Sequence, residues 1–343
     1  MKALQLSAYK QLDLVNLPTP MPAEDELLIR IRACGICGSD VHGFDGSTGR
    51  RIPPIVMGHE AAGVVEAAGS GVFNFRVGDR VTFDSTVYCG RCFYCIRGQV
   101  NLCDNREVVG VSTPAFRRMG AFAEFVTVPA RIACPLPDSM PFAHAALIEA
   151  VSVAVHAVSL TPLALDDTAV VVGAGMIGLL TLQAVRQAGA GKVIVLDVDD
   201  TRLKMAKDLG ATHVFNSSDA KVLLEILAET AGRGADVALE CVGITAAVKL
   251  AIDSVRKGGA VTLVGNVAPT VELGLQSVVT RQIRVQGSCA SCGEYPACIS
   301  MMARGAIRVA SLISAVAPLD DGAAWFQRLY GREPGLLKVV LEP

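Results

Sequence analysis

From Thr168 onward the chain alternates short apolar runs with helix-length segments, and this alternation restricts the fold more than any other feature. The runs AVVVG, KVIVLD, HVFN, DVALECVG, AVTLVG and IRVQGS read as strands. Between them lie stretches such as DDTRLKMAKDLG, where Leu203, Ala206 and Leu209 make one apolar face and Gly210 stops the helix. Apolar strands joined by helical crossovers predict a parallel sheet covered on both faces. The first run continues as VVVGAGMIG, which sets Gly173, Gly175 and Gly178 between a strand and a helix. In that setting the first glycine permits a tight turn and the second lets backbone approach a pyrophosphate. The third lets helix pack on strand, and free amides at the helix start face the anion.

The next strand ends in Asp197, nineteen residues beyond Gly178. A carboxylate there accepts hydrogen bonds from the adenosine ribose hydroxyls. Asp199 and Asp200 add charge that would repel a further phosphate, so NAD rather than NADP is the expected cofactor. Arg202 is the close cation, expected along the adenine edge. Met176 and Ile177 complete the turn, and Val242, Val264, Gly265 and Ser288 end later strands as further candidate cofactor contacts.

The first 150 residues have a different texture. Short runs such as ELLIRIRACG, AAGVVEAAG, DRVTF and GAFAEFVTVP, separated by Gly and Pro, predict an irregular β-rich domain. The 343 residues fit two compact domains better than one very large core. With 51% hydrophobic and 19% charged residues, disorder is excluded as the dominant state. A formal charge of −2 and 5% aromatic residues argue against nucleic acid as a partner. Mean hydropathy is +0.44. Yet Ala169–Leu182 is short and broken by three glycines, and 143–165 carries His144, Glu149 and His156. No cleavable leader is apparent in MKALQLSAYKQLDLV, so a soluble, cytoplasmic protein without membrane partners is expected.

Eleven cysteines exceed what packing requires. Cys89, Cys92, Cys95 and Cys103 spell C-x2-C-x2-C-x7-C, a spacing that can close a tetrahedral shell around zinc with no open position. An iron–sulfur cluster is the competing occupant. A second, dispersed set is Cys37, Ser39 and His42 in CGICGSDVH, His59 and Glu60 in VMGHE, and Glu149 in ALIEA. Mixed sulfur, nitrogen and oxygen donors in small number suit a zinc that keeps one position for water or substrate. Cys34 and Cys241 read as core residues, and Cys289, Cys292 and Cys298 as inert thiols. Arg117 and Arg118 are either solvated or a clamp for a substrate phosphate.

CGICGSDVH, GHE, the four-cysteine lobe and GAGMIG occur together in this order over essentially the whole chain. The combination resembles the zinc-dependent medium-chain dehydrogenases, and within them the sorbitol (polyol) branch. The resemblance implies an α/β protein: a Rossmann dinucleotide-binding domain inserted into a GroES-like β-rich catalytic domain, with the active site in the cleft between them. The expected boundaries are 1–152 for the catalytic domain, with a structural zinc lobe at about 85–110, then 153–288 for the NAD-binding domain and 289–343 for the return. Cys37, His59 and Glu60 match the catalytic-zinc positions, and Glu149 matches the acid beside the zinc-bound water or in its shell. Ser39 and His42 match positions that relay the alcohol proton. Ala150 departs from the Glu-Pro common in polyol enzymes, and GSCASCGEYPAC lacks the arginine-containing pattern associated with sorbitol. The implied function is reversible NAD-linked oxidation of a secondary hydroxyl of a polyol, sugar alcohol or cyclitol, by a homodimer or homotetramer. Polyol-phosphate and L-threonine 3-dehydrogenase activities are the alternatives, and a non-catalytic NAD- and zinc-binding role is the rival of a different class.

Overall fold

The structure is a computed structural model that describes residues 1–113 and 116–343. It divides into two compact units. The first comprises Met1–Glu149, Tyr295–Ala303 and Val309–Pro343, and the second Ala150–Glu294 and Arg304–Arg308.

The first unit is built on a seven-stranded sheet with Glu26–Gly35 at its centre. That strand is buried along most of its length because ELLIRIRACG supplies apolar or small residues to both faces. It pairs antiparallel with Glu60–Ala68, with Phe125–Pro129 and with the C-terminal strand Lys338–Glu342. Ile313–Pro318 then joins Lys338–Glu342 in parallel, so strands from opposite ends of the chain share one sheet. Leu27, Ile29, Ile31, Phe83, Phe122, Phe326, Val339 and Leu341 form the core beneath. A helix of six residues, Gly38–Gly43, follows the central strand; it is too short to show a hydropathy period in the sequence.

The second unit is a six-stranded, wholly parallel sheet. Its order is His213–Asn216, Lys192–Asp197, Thr168–Val172, Ala235–Glu240, Val255–Leu263 and Arg284–Gly287. Each predicted apolar run therefore became a strand. Thr168–Val172, the first in sequence, lies inside the sheet, and the order reverses around it. That reversal makes a crevice beyond the carboxyl ends of the strands, where nucleotides bind in such sheets. The glycine turn sits there. Gly173 has φ +96°, and a Cβ on Gly178 would lie 1.7 Å from the Gly173 carbonyl oxygen, so only glycine lets Met176–Gln187 start this close to its strand.

Among the described residues one stretch, Phe142–Ser159, is long and apolar enough to cross a bilayer, and most of it is buried inside the protein.

Candidate functional site

Cys37 stands where the central strand gives way to the helix Gly38–Gly43. Its carbonyl accepts the first helical amides, from Asp40 at 3.0 Å and Val41 at 3.2 Å. Glu60 opens the neighbouring strand opposite Gly35, where a Cβ would fall 2.3 Å from Glu60 Oε2. Glycine at 35 thus leaves the space that the carboxylate occupies. One donor atom from each of Cys37, His59 and Glu60 lies within 4.8 Å of the other two. His59 and Glu60 are buried, and Cys37 is partly accessible.

This set fits a metal ion. A thiolate, an imidazole nitrogen and a carboxylate oxygen suit zinc and leave a fourth position open. The imidazole is held in a ligating orientation. Buried His59 Nδ1 faces Asp40 Oδ2 at 3.4 Å, and among the described residues neither atom has another hydrogen-bond partner. A carboxylate behind one ring nitrogen is the arrangement that directs the other toward a metal. Burial opposes a charge on His59, but the Asp40 carboxylate and Cys37 outweigh it and hold the imidazole well above its ordinary value. Burial likewise opposes ionisation of Asp40, and His59 and Arg51 overcome it, leaving that carboxyl far below the usual range.

Two neighbours of this set were not legible in the sequence. Lys338 Nζ donates to both oxygens of Glu60, to Oε1 at 2.8 Å and Oε2 at 2.5 Å, and to the Ile36 carbonyl at 3.1 Å. Both side chains are buried. Arg51, also buried, donates to Asp40. A lysine in LLKVVLE and an arginine in GRRIPP give no local signal, because their partners are set by sheet pairing and by packing rather than by spacing.

Ser39 Oγ lies 3.4 Å from His59 Nε2, and His42 is exposed one turn further along the same helix. Glu149 is in the first turn of Ile148–Ser159 and is not one of the three donors gathered within 4.8 Å. Burial pushes its carboxyl up to about 7, with His59 opposing and Glu60 and Asp84 reinforcing the rise. Tyr295, which gave no signal in the sequence, has a buried hydroxyl without a hydrogen-bond partner. Its phenol is raised by burial and by the nearby Asp84 and Glu149 carboxyls.

Cys89, Cys92, Cys95 and Cys103 converge as a second group, with their sulfurs within 4.8 Å of one another. Backbone amides point at these sulfurs: Cys89 N donates to Cys103 Sγ at 3.3 Å, and the Arg91 amide is the main cause that lowers Cys89 to about 6. Burial raises Cys95 to about 12. Four sulfurs at this separation, with amide donors already turned on them, fit a closed thiolate shell.

In the second unit no side chain caps the helix Met176–Gln187, so its first amides are left for an anion. Apart from its chain neighbours, no described atom lies within 4 Å of where a Cβ on Gly175 would be, and Met176 and Ile177 after it are half-buried. Asp197 ends its strand with both oxygens engaged: Oδ2 accepts the Ala174 amide at 2.6 Å and Oδ1 the Asp199 amide at 2.9 Å. The carboxylate therefore also braces the glycine turn. Arg202 is tied to Asp199, 3.8 Å away. Val242 N donates to Glu240 Oε1, while the amides of Val264 and Gly265 both donate to the Glu240 carbonyl. Ser288 follows the last strand with a buried, unpartnered hydroxyl.

Arg118 is bonded to Glu26 and Glu107, so its guanidinium has carboxylate partners rather than standing free in solvent. Arg117 is exposed. Of the tail cysteines, Cys289 is exposed, Cys292 half-buried and Cys298 buried, and Cys34 lies in the core while Cys241 is half-buried.

Comparison with known proteins finds two family models. Residues 23–138 match the alcohol dehydrogenase GroES-like domain, and 177–304 match zinc-binding dehydrogenase. Sorbitol dehydrogenase of Bacillus subtilis is 35% identical, covering 100% of this chain and 97% of that protein. D-arabitol-phosphate dehydrogenase of Enterococcus avium is 34% identical over 98% and 96% of the two chains. Among solved structures, a zinc-binding dehydrogenase of Sinorhizobium meliloti bound to NADP superposes with a TM-score of 0.90. It is 34% identical and covers 100% of this chain and 99% of its own.

Proposed function

The chain belongs to the zinc-binding alcohol dehydrogenases and is an oxidoreductase, and from that premise we propose that it oxidises a secondary hydroxyl of a polyol, sugar alcohol or cyclitol to a ketone, reversibly and with NAD. The observation that carries this reading is the meeting of Cys37, His59 and Glu60 beside Ser39.

In this reading Cys37, His59 and Glu60 hold the catalytic zinc, and the four cysteines of the lobe hold a structural one. Zinc supplies Lewis acidity that makes a hydroxyl more acidic, and NAD supplies the hydride acceptor. The rest belongs to the protein's own groups. Asp40 fixes the imidazole of His59. Ser39 takes the hydroxyl proton, and exposed His42 hands it to water. Glu149, whose carboxyl burial pushes up to about 7 and which feels His59 and Glu60, is the acid this reading sets toward the substrate hydroxyl.

Asp197, Asp199 and Asp200 supply negative charge at the ribose end, and the nearest cation there, Arg202, is already paired; this supports NAD over NADP. A homodimer or homotetramer is also proposed. Arg284–Gly287 is an edge strand, and the helix that precedes it in the chain, Leu275–Thr280, buries none of its residues and exposes Leu275 and Val279. Analytical ultracentrifugation showing a monomer at micromolar concentration would refute that part.

The D-arabitol-phosphate relative keeps a phosphorylated polyol as the second reading. An NAD-reduction screen across polyols, polyol phosphates, cyclitols, threonine and simple alcohols tests both. Turnover of simple primary alcohols alone would overturn them.

A further inference from the structure

We propose that Arg51 is a positioning residue for the proposed reaction: it locks Asp40 against His59 and fixes which way the Ser39 hydroxyl donates. The proposal rests on the zinc reading of Cys37, His59 and Glu60 above.

The geometry is specific. Arg51 and Asp40 are 4% and 0% exposed. Arg51 Nε and Nη2 both donate to a single oxygen, Asp40 Oδ1, at 3.1 and 2.9 Å. That leaves Oδ2 to His59 Nδ1, 3.4 Å away, and among the described residues no other group bonds to either of those two atoms. The guanidinium therefore decides which carboxylate oxygen the imidazole meets, and with it the plane in which His59 Nε2 can ligate. The same Nη2 reaches Ser39 Oγ at 3.4 Å. An arginine only donates and does not lose its proton. Ser39 is thereby cast as the acceptor toward Arg51, and its own hydrogen is turned to the opposite side. Its other neighbour, His59 Nε2 at 3.4 Å, cannot accept that hydrogen once it ligates a metal. The hydroxyl is left to exchange protons only with a substrate oxygen or with the route past His42.

The fold makes room for this side chain at some cost. A Cβ on Gly43 would lie 2.4 Å from Arg51 Cγ, so the helix Gly38–Gly43 ends in a residue that gives the arginine stem its slot. Ser112 brackets the next residue, accepting the Ile52 amide and donating to the Ile52 carbonyl at 2.8 Å. Arg51 Nη1 closes onto the Arg50 carbonyl at 3.2 Å. A buried ion pair is a poor source of stability compared with apolar packing of the same volume, which makes a positional role the better account of this one.

The test uses the full-length, zinc-loaded protein and Arg51→Lys, Arg51→Met and Gly43→Ala variants. Zinc release to a chromogenic chelator and the electronic spectrum after cobalt replacement report on the ligands without requiring turnover. Kinetics use whichever alcohol the screen identifies. Arg51→Met should release the catalytic zinc about tenfold faster or more, with an altered cobalt spectrum. Its kcat should fall while KM for substrate and NAD binding hold, and added guanidinium should restore part of the rate. Arg51→Lys should keep the metal better than Arg51→Met yet stay slow, because a single ammonium cannot hold Asp40 and Ser39 together. Gly43→Ala, which crowds the arginine without removing its charge, should shift the cobalt spectrum in the same direction and decides the matter if the Arg51 variants do not fold. Wild-type release rates and spectra in folded Arg51→Met, or in Gly43→Ala where Arg51→Met does not fold, would overturn the proposal while leaving the dehydrogenase reading intact. A wild-type protein that takes up no metal at Cys37, His59 and Glu60 would overturn both.

Discussion

Lys338 and the candidate ligand Glu60 form a deeply buried ion pair, with side chains 3% and 1% exposed. Burial alone would depress the ammonium, but Glu60, followed by Cys37, more than offsets it and raises its affinity for the proton. Replacing the lysine by methionine leaves an uncompensated carboxylate in the sheet, a change that costs roughly 3–5 kcal/mol when no other cation takes its place. A divalent ion on Glu60 is such a cation. Lys338→Met should therefore lower the denaturation midpoint strongly in metal-stripped protein and much less in zinc-loaded protein; equal losses in both would show that Glu60 does not face the metal. Asp197 carries a second prediction at this scale. Asp197→Ser should narrow the preference for NAD over NADP, which is expected to be at least about tenfold, mostly by weakening NAD. Because this carboxylate also holds the Ala174 and Asp199 amides, part of the loss will come from the turn itself. Ratios of kcat/KM for the two cofactors decide it, and equal use by the native enzyme would remove Asp197 from the ribose. Cys37, His59 and Glu60 were legible because short motifs carry them. Lys338 and Arg51 were not, since the first is 278 residues from its partner and the second 11 residues away across an irregular loop.

At the scale of elements, the parallel strands were the most legible part of the chain. The inner ones, Thr168–Val172, Lys192–Asp197 and Ala235–Glu240, are mostly apolar and buried along most of their length, and two buried faces leave no alternation to misread. The first unit was legible as β-rich but not in its pairing: nothing in LLKVVLE announces that it lies against ELLIRIRACG. Sheet partners far apart in sequence are chosen by packing, which spacing does not record. The two cysteine groups should likewise separate by element. Cys37→Ser replaces a soft ligand at the cap of a six-residue helix, and should abolish nearly all turnover while NAD binding and the melting temperature stay near native. Cys103→Ser opens a closed shell in a loop made largely of turns and short 3-10 segments, and should lower the melting temperature or solubility first, with activity lost as a consequence. Melting curves run beside initial rates distinguish the two, and the opposite pattern would exchange the assignments.

For the whole molecule, freshly prepared protein is expected to carry two zinc ions per chain, and mild chelation to remove about half the metal and all the activity without unfolding. Iron in the lobe, or one ion per chain, would contradict this. The substrate was the least legible property, because a few side chains lining a pocket decide it and no spacing rule governs them. One architectural fact bears on how the molecule is made. The central strand of the first unit pairs with the last one, Lys338–Glu342, so a nascent chain on the ribosome carries Cys37, His59 and Glu60 long before it carries Lys338. At roughly 5–20 residues per second the interval is on the order of 15–55 s. Throughout it the sheet lacks its last strand and the carboxylate lacks its counter-ion. The order of synthesis thus places the final residues last at the site: a chain cut short before residue 338 lacks the strand that pairs with Cys34 and Gly35 and the ammonium that faces Glu60.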